Sequence, residues 1–118
     1  MDPKKRRLQI LVESFPEART IEKNALDMKC EIKTKGFAYW LEDEVYIGRQ
    51  VIIIKMPLQQ RDMLIAENPI QYGVPEVKIF KHWLEIKLSP EPKNWDEIDQ
   101  WVIAAYKSTA PKSLPRSM

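Results

Sequence analysis

One cysteine, one histidine and three glycines in 118 residues leave the chain without the raw material for several kinds of site. Cys30 has no second cysteine to pair with, so an internal disulfide is excluded, as is the cysteine cluster of a structural zinc site. A single histidine, His82, excludes a histidine-based metal centre. Gly36, Gly48 and Gly73 are too scattered to build a glycine-rich loop that cradles phosphate. No apolar run approaches the ~20 residues needed to cross a bilayer. The basic N-terminus is not followed by the apolar core of a signal peptide. These absences point to a cytoplasmic protein with no membrane partner. No internal repeat or low-complexity segment is present. An excess of charge of one sign is also missing: 19 basic against 17 acidic residues give a net charge of +2, with a pI near 8.6. That falls short of the pI above about 9 that marks a dedicated nucleic-acid binder.

What is there is an ordinary globular composition, 44% apolar and 31% charged. A chain of this length forms one domain, 1–118, and buries roughly two-thirds of its unfolded surface. Its organising stretch is Met28–Met56. Met28, Cys30 and Ile32 alternate with Lys29, Glu31 and Lys33, the period-two pattern of a strand with one buried and one wet face. Cys30 thereby falls on the core face as a small buried hydrophobe. Phe37–Leu41 is apolar on both sides, as in a central strand covered twice. Glu42-Asp43-Glu44 reads as an acidic turn. Val51–Ile54 is β-branched throughout and ends at Lys55 and Pro57.

The flanks supply helices. Asp2-Pro3 is a helix start, and Leu8, Leu11, Val12 and Phe15 form one apolar stripe opposite Lys4, Lys5, Arg6 and Arg7. That basic run is either a solvated helix end or a patch facing phosphate. Pro16 ends the helix, and Arg19–Glu22 reads as a short edge strand. Pro57 opens a helix over Leu58–Glu67, closed by Asn68-Pro69. Ile70–Pro75 reads as a connecting loop. Val77–Phe80 and Trp83–Leu88 read as a strand pair turning at Lys81-His82. Asn94 and Glu97 have the spacing of a capping box, so Trp95–Ser108 is the last helix, with Ile98, Trp101, Val102 and Ala105 as its stripe. A short basic tail with Pro111 and Pro115 follows, and fraying is expected there over about the last eight residues.

No catalytic constellation is visible, and the chain reads as a non-enzyme with no cofactor. His82 reads as an exposed turn residue. The acidic groups at 42–44 and at Asp96, Glu97 and Asp99 read as turn and helix-start charges rather than metal ligands. The remaining signal is a surface pattern. Lys29, Lys33, Lys55 and Lys87 share the wet face of the sheet with Trp83, a combination suited to a nucleic-acid backbone and its bases. Glu31 and Glu85 lie in the same rows and offset part of that field.

In their order and spacing the residues resemble those of the MmcQ/YjbR family of small bacterial proteins. The resemblance runs from Phe15-Pro16-Glu17-Ala18 through Lys35-Gly36-Phe37-Ala38, Ile54-Lys55, Gln60 and Leu64, Asn68-Pro69, Pro75, His82-Trp83 and Leu88. It closes with Ala105-Tyr106-Lys107 and Ala110-Pro111-Lys112-Ser113-Leu114. Cys30 and Lys33-Thr34 depart from it, standing where many members carry an aromatic residue and glycines. The resemblance implies an α+β fold of the CyaY-like kind: a single antiparallel sheet with helices on one face, in the order helix, strands, helix, strand pair, helix. It also implies DNA binding, a label that rests on fold analogy. Iron binding, the other association of CyaY-like folds, is set aside, because Lys4-Lys5-Arg6-Arg7 has the wrong sign for a hard cation.

The leading expectation is thus a monomeric, weakly selective DNA-binding protein. Lys4, Lys5, Arg6, Arg7, Lys33, Lys35, Lys55, Lys81 and His82 would contact phosphate, and Trp83 would stack. The alternative is a module for a protein or small ligand, using Tyr39, Trp40, Tyr72 and Trp83 around a groove beside the sheet.

Overall fold

Asp2 begins the first helix as its chemistry dictates: its carboxylate accepts from the backbone N–H of Lys4 at 2.8 Å, and Pro3 occupies the first turn, where no N–H is needed. The computed structural model describes residues 2–24, 26–42, 46 and 48–111. The expected tail beyond Pro111 and the Asp43-Glu44 part of the acidic turn lie outside the described residues. In chain order the elements are α1 (Pro3–Glu13), β1 (Ala18–Glu22), β2 (Met28–Ile32), β3 (Lys35–Leu41), β4 (Val51–Ile54), α2 (Leu58–Glu67), β5 (Tyr72–Gly73), β6 (Leu84–Lys87) and α3 (Trp95–Thr109). The strands form one antiparallel sheet in the order β1-β2-β3-β4-β6-β5. The α+β class and the single sheet agree with the sequence.

Helices α1 and α3 cover one face. Their buried residues Leu8, Val12, Ile98, Val102 and Tyr106 join Met28, Cys30 and Ile32 of β2, Trp40 of β3, Ile52 and Ile54 of β4, and Leu84 and Ile86 of β6 in the main core. Burying one such side chain contributes about 1.5–3 kcal/mol. Phe15, Phe37 and Tyr106 close the core in a ring cluster with centroids 4.7–6.4 Å apart. Burial pushes the Cys30 thiol well above its ordinary range, so it stays protonated and inert. Helix α2 buries no residue fully and lies against β5 at the sheet edge.

Two expectations need correction. Val77–Phe80 does not pair with β6: Lys78–Phe80 is a single 3₁₀ turn, and the strand on the outer side of β6 is Tyr72–Gly73, within the Ile70–Pro75 stretch expected as a loop. Val77 and Phe80 are three apart, which puts both on one side of a helical turn, and both pack against the sheet there. The wet face is also not fully wet. Tyr46, Val51 and Ile53 form a second small core on it, flanked by Tyr39, Leu41, Val77, Phe80 and Trp83. The capping box is half made: Asn94 accepts from the N–H of Glu97 at 3.2 Å, while the Glu97 carboxylate takes the hydroxyl of Tyr72 instead. No helix among the described residues is long and apolar enough to cross a membrane.

The β2–β3 hairpin carries visible strain. Its two-residue turn, Lys33-Thr34, has φ of 48° and 69°, the positive values of the type I′ turn that Asn-Gly adopts most easily. For a β-branched residue such as Thr34 this conformation is an outlier. Relief of about 1–2 kcal/mol at an L-residue should exceed the ~0.5–1 kcal/mol that a glycine adds in chain entropy. Thr34→Gly is therefore expected to raise unfolding stability, by about 0.5 kcal/mol or more. A urea titration checks it, and a lowered midpoint would show that the turn is not the strained element.

Candidate functional site

The sheet register decides which charges meet. Ile32 pairs with Lys35 across the hairpin turn, Ala38 pairs with Ile54, and Ile54 pairs with Leu84. Ala38 itself sits opposite Cys30, so one step beyond the Cys30–Ala38–Ile54–Leu84 row lie Lys55 after β4 and Trp83 before β6, while Lys33 and Lys35 stand further out, at the hairpin turn. The N–H of Lys55 donates to the carbonyl of Phe37 at 3.1 Å, which fixes its place in the row. Lys81 and His82 lead into Trp83 at the same end. The four strands β2, β3, β4 and β6, about 4.8 Å apart, spread these groups over about 14 Å across the sheet, and the hairpin carries Lys33 and Lys35 about 7 Å further along it. Lys33, Lys35, Lys55, Lys81 and His82 are all exposed, and none of the five forms an ion pair with a described residue. Arg61 of α2 donates to the carbonyl of Lys81 at 2.7 Å and pins this corner to the helix. The exposed carboxylate of Glu17 stands at the same end, ahead of Ala18.

The four cations of α1 are not part of this group. Asp2 accepts from Gln50, the residue before β4, at 2.8 Å, so α1 starts at the opposite end of the sheet. That hydrogen bond is the main cause holding the Asp2 carboxyl below its ordinary value. Lys5 is buried, and its ammonium donates to Glu22 at 3.1 Å and to the carbonyl of Leu26 at 2.8 Å. Arg7 pairs with Asp99 at 2.7 Å, its guanidinium lying 5.3 Å from the ring centre of Trp95. Arg6 donates to Gln9. The basic run expected on one surface with the sheet lysines is thus separated from them by the length of the strands.

The aromatic set also divides. Trp40 and Tyr72 are buried on the helix-covered face, and the indole N–H of Trp40 donates to Glu42. Tyr39 and Trp83 lie on the opposite face, so the four do not line one groove. Tyr39 and Trp83 are instead joined by Phe80, with ring centres 4.5 Å (Tyr39–Phe80), 5.0 Å (Phe80–Trp83) and 5.9 Å (Tyr39–Trp83) apart. All three rings are half-buried. Gly36 leaves room for the first of them: a Cβ at Gly36 would stand 2.7 Å from the Tyr39 hydroxyl. The Tyr39 ring therefore lies along its own strand toward the hairpin end. A strand over Val77–Phe80 hides Phe80 as a partner of Tyr39 and Trp83; its three-residue spacing from Trp83 is the signal the sequence offers.

Two carboxylates on this face have opposite environments. Glu31 is buried but accepts from Arg19 at 2.7 Å and from Lys29 at 3.0 Å. Burial works to raise its pKa, and the two cations outweigh it, so the group is held below its ordinary value. Glu85, also buried, accepts from the Tyr46 hydroxyl at 2.7 Å, and Tyr46 in turn accepts from the N–H of Glu76. Burial pushes Glu85 above the ordinary carboxylate range, reinforced by the Glu76 charge.

On the helix side, Tyr72 borders a cavity of about 370 Å³ with Gln71, Asn94 and Glu97. Its hydroxyl donates to Glu97 at 2.8 Å and accepts from the indole of Trp101 at 3.2 Å; burial pushes the phenol up to about 12. Asp99 and Glu97, from the acidic start of α3, are thus engaged by Arg7 and Tyr72. Among the described residues no three His, Cys, Asp or Glu side chains are grouped to hold a metal ion.

The chain is similar in fold to the crystal structure of Deinococcus radiodurans protein DR2400, described as family-model domain DUF419. The match has a TM-score of 0.74 at 11% identity, covering 94% of this chain and 81% of that one. At that identity the likeness concerns the fold alone. No family model matches the sequence, and no curated protein matches it.

The Glu31 pairings set a pH dependence. A carboxyl whose folded pKa lies below its unfolded value of 4.5 adds stability above that pH and loses it as pH falls through the folded value. Glu31→Gln should lower the thermal midpoint at pH 7, and the gap to the unaltered protein should narrow in acid, below pH 4.5. Melting curves over a pH series check this; a gap that stays constant into acid would argue against the ion pairs as its source.

Proposed function

We propose that this protein is a non-enzymatic DNA-binding protein that holds the phosphate backbone at the basic end of its sheet. The observation that carries this reading is the clustering of Lys33, Lys35, Lys55 and Lys81, each exposed and without an ion pair among the described residues, on neighbouring strand ends. Cations whose charge is not spent inside the protein are the ones that displace counterions from DNA. His82 adds a donor, and Trp83 offers a ring at the margin. The resemblance to the MmcQ/YjbR family supports the same reading, with the α1 cations Lys4, Lys5, Arg6 and Arg7 assigned to the structure of the helix end instead. Contacts of this kind are to phosphate and carry little sequence information.

A fluorescence anisotropy titration of labelled duplex DNA over a range of salt tests it. Four phosphate contacts correspond to a slope of log K against log salt of roughly −3.6. Lys33→Glu with Lys55→Glu should flatten that slope by about 2 and weaken binding at low salt. Lys4→Gln, at the far end, should leave it unchanged. No binding at low salt would overturn the proposal.

A second reading rests on the cavity beside Tyr72, whose rim combines amide, carboxylate and phenol groups. Concave sites with a few converging polar groups are where small ligands bind. A thermal-shift screen in which a hit is lost in Asn94→Ala but kept in Lys33→Glu would favour this reading over DNA.

A further inference from the structure

Three features of the basic end bear on which form of DNA it takes. The cluster of Tyr39, Phe80 and Trp83 lies at the same end of the sheet as Lys55 and Lys81, no α-helix among the described residues packs over it, and each ring keeps part of its surface exposed. The turn carrying Phe80 interleaves basic and apolar residues, Lys78-Ile79-Phe80-Lys81, and Ile79 at its tip is 80% exposed. Gly36, at the hairpin end, has no side chain to block the Tyr39 ring from that side. Rings beside a row of cations match the chemistry of a strand whose bases are free: phosphates are held by the cations, and unpaired bases lie on the aromatic surfaces. A duplex keeps its base faces stacked inside, so the same rings would gain little from it.

We infer that the preferred ligand is single-stranded DNA, with phosphates on Lys33, Lys35, Lys55 and Lys81 and bases packed against the Tyr39–Phe80–Trp83 cluster. This rests on the DNA-binding reading above and adds the strand state. The charge complementarity is local. Of the two buried carboxylates on this face, Glu31 is already held by Arg19 and Lys29 and Glu85 accepts from the Tyr46 hydroxyl, which leaves Glu17 as the exposed carboxylate described at this end.

The test compares a labelled oligothymidine with a duplex of the same length, under the same buffers, using the full chain. The expected result is at least tenfold tighter binding of the single strand. Trp83→Ala should reduce that affinity by about fivefold or more while the salt slope stays within error, because stacking is removed and the phosphate contacts are not. Trp83→Phe, which keeps a ring and guards against a folding defect, should retain most of the preference and lose most of the binding-linked change in tryptophan fluorescence. Duplex binding equal to or tighter than single-strand binding, with the expected salt slope, would overturn this inference and leave the DNA-binding reading standing. Single-strand affinity unaffected by Trp83→Ala would also overturn it. Failure of both nucleic acids to bind at low salt would overturn both.

Discussion

The structure depends on a single constraint: the central strands β3 and β4 are apolar on both sides. Ala38 and Trp40 face the helices with Ile52 and Ile54, while Tyr39 and Leu41 face the other way with Val51 and Ile53. A sheet with such a centre needs two covers. Helices α1 and α3 provide one. The chain has no fourth helix among its described residues to provide the other, so the second side is closed by Tyr46 and by the turn that brings Val77 and Phe80 over the strands. The lighter cover leaves Tyr39, Phe80 and Trp83 half exposed. The aromatic surface at the basic end is thus a by-product of how the sheet is buried, and any binding role is built on a feature that stability already requires.

The same incomplete cover explains the two buried carboxylates. A strand alternating across a half-dry face must place some of its polar positions where water is scarce. Glu31, toward the β1 edge, meets two cations and stays readily ionised. Glu85, under the Tyr46 side of the small core, is hydrogen-bonded to a neutral phenol, and its proton is held more tightly. Both are satisfied, and no buried side-chain polar atom among the described residues is left without a partner. Glu31 therefore takes no net negative charge to the hairpin end.

Much of this was legible in the sequence, for definite reasons. Period-two alternation from Met28 to Ile32, the doubly apolar Phe37–Leu41 and the β-branched Val51–Ile54 are strong local signals, and they appear as β2, β3 and β4. Caps and prolines located the helix starts at Asp2 and Asn94 and the ends near Pro16 and Asn68. What was not legible depended on partners distant in sequence. Tyr72-Gly73 is too short to carry a period, and it is a strand because β6 lies beside it. Val77–Phe80 has strand composition, yet Val77 packs on the small core and Phe80 between Tyr39 and Trp83, while Ile79 is exposed, and the backbone forms a turn. The position of Lys5 could not be read from helical spacing, because its acceptors, Glu22 and Leu26, come from the β1 end and the loop beyond it.

The two basic groups show how pairing separates structural charge from available charge. At the start of α1, Lys5 and Arg7 are held by Glu22 and Asp99, contacts that join the helix to β1 and to α3. Their charge is neutralised where it stands. At the other end, Lys33, Lys35, Lys55 and Lys81 extend from strand ends and turns, and the Lys33-Thr34 turn keeps a strained backbone that Asn-Gly would relieve. The strain of that turn costs stability, and Lys29 holds the turn by donating to the carbonyl of Thr34 at 3.2 Å. A ligand with closely spaced negative charges would meet four exposed lysines at this corner without ion pairs among the described residues, whereas two of the four cations of the helix are already held by carboxylates.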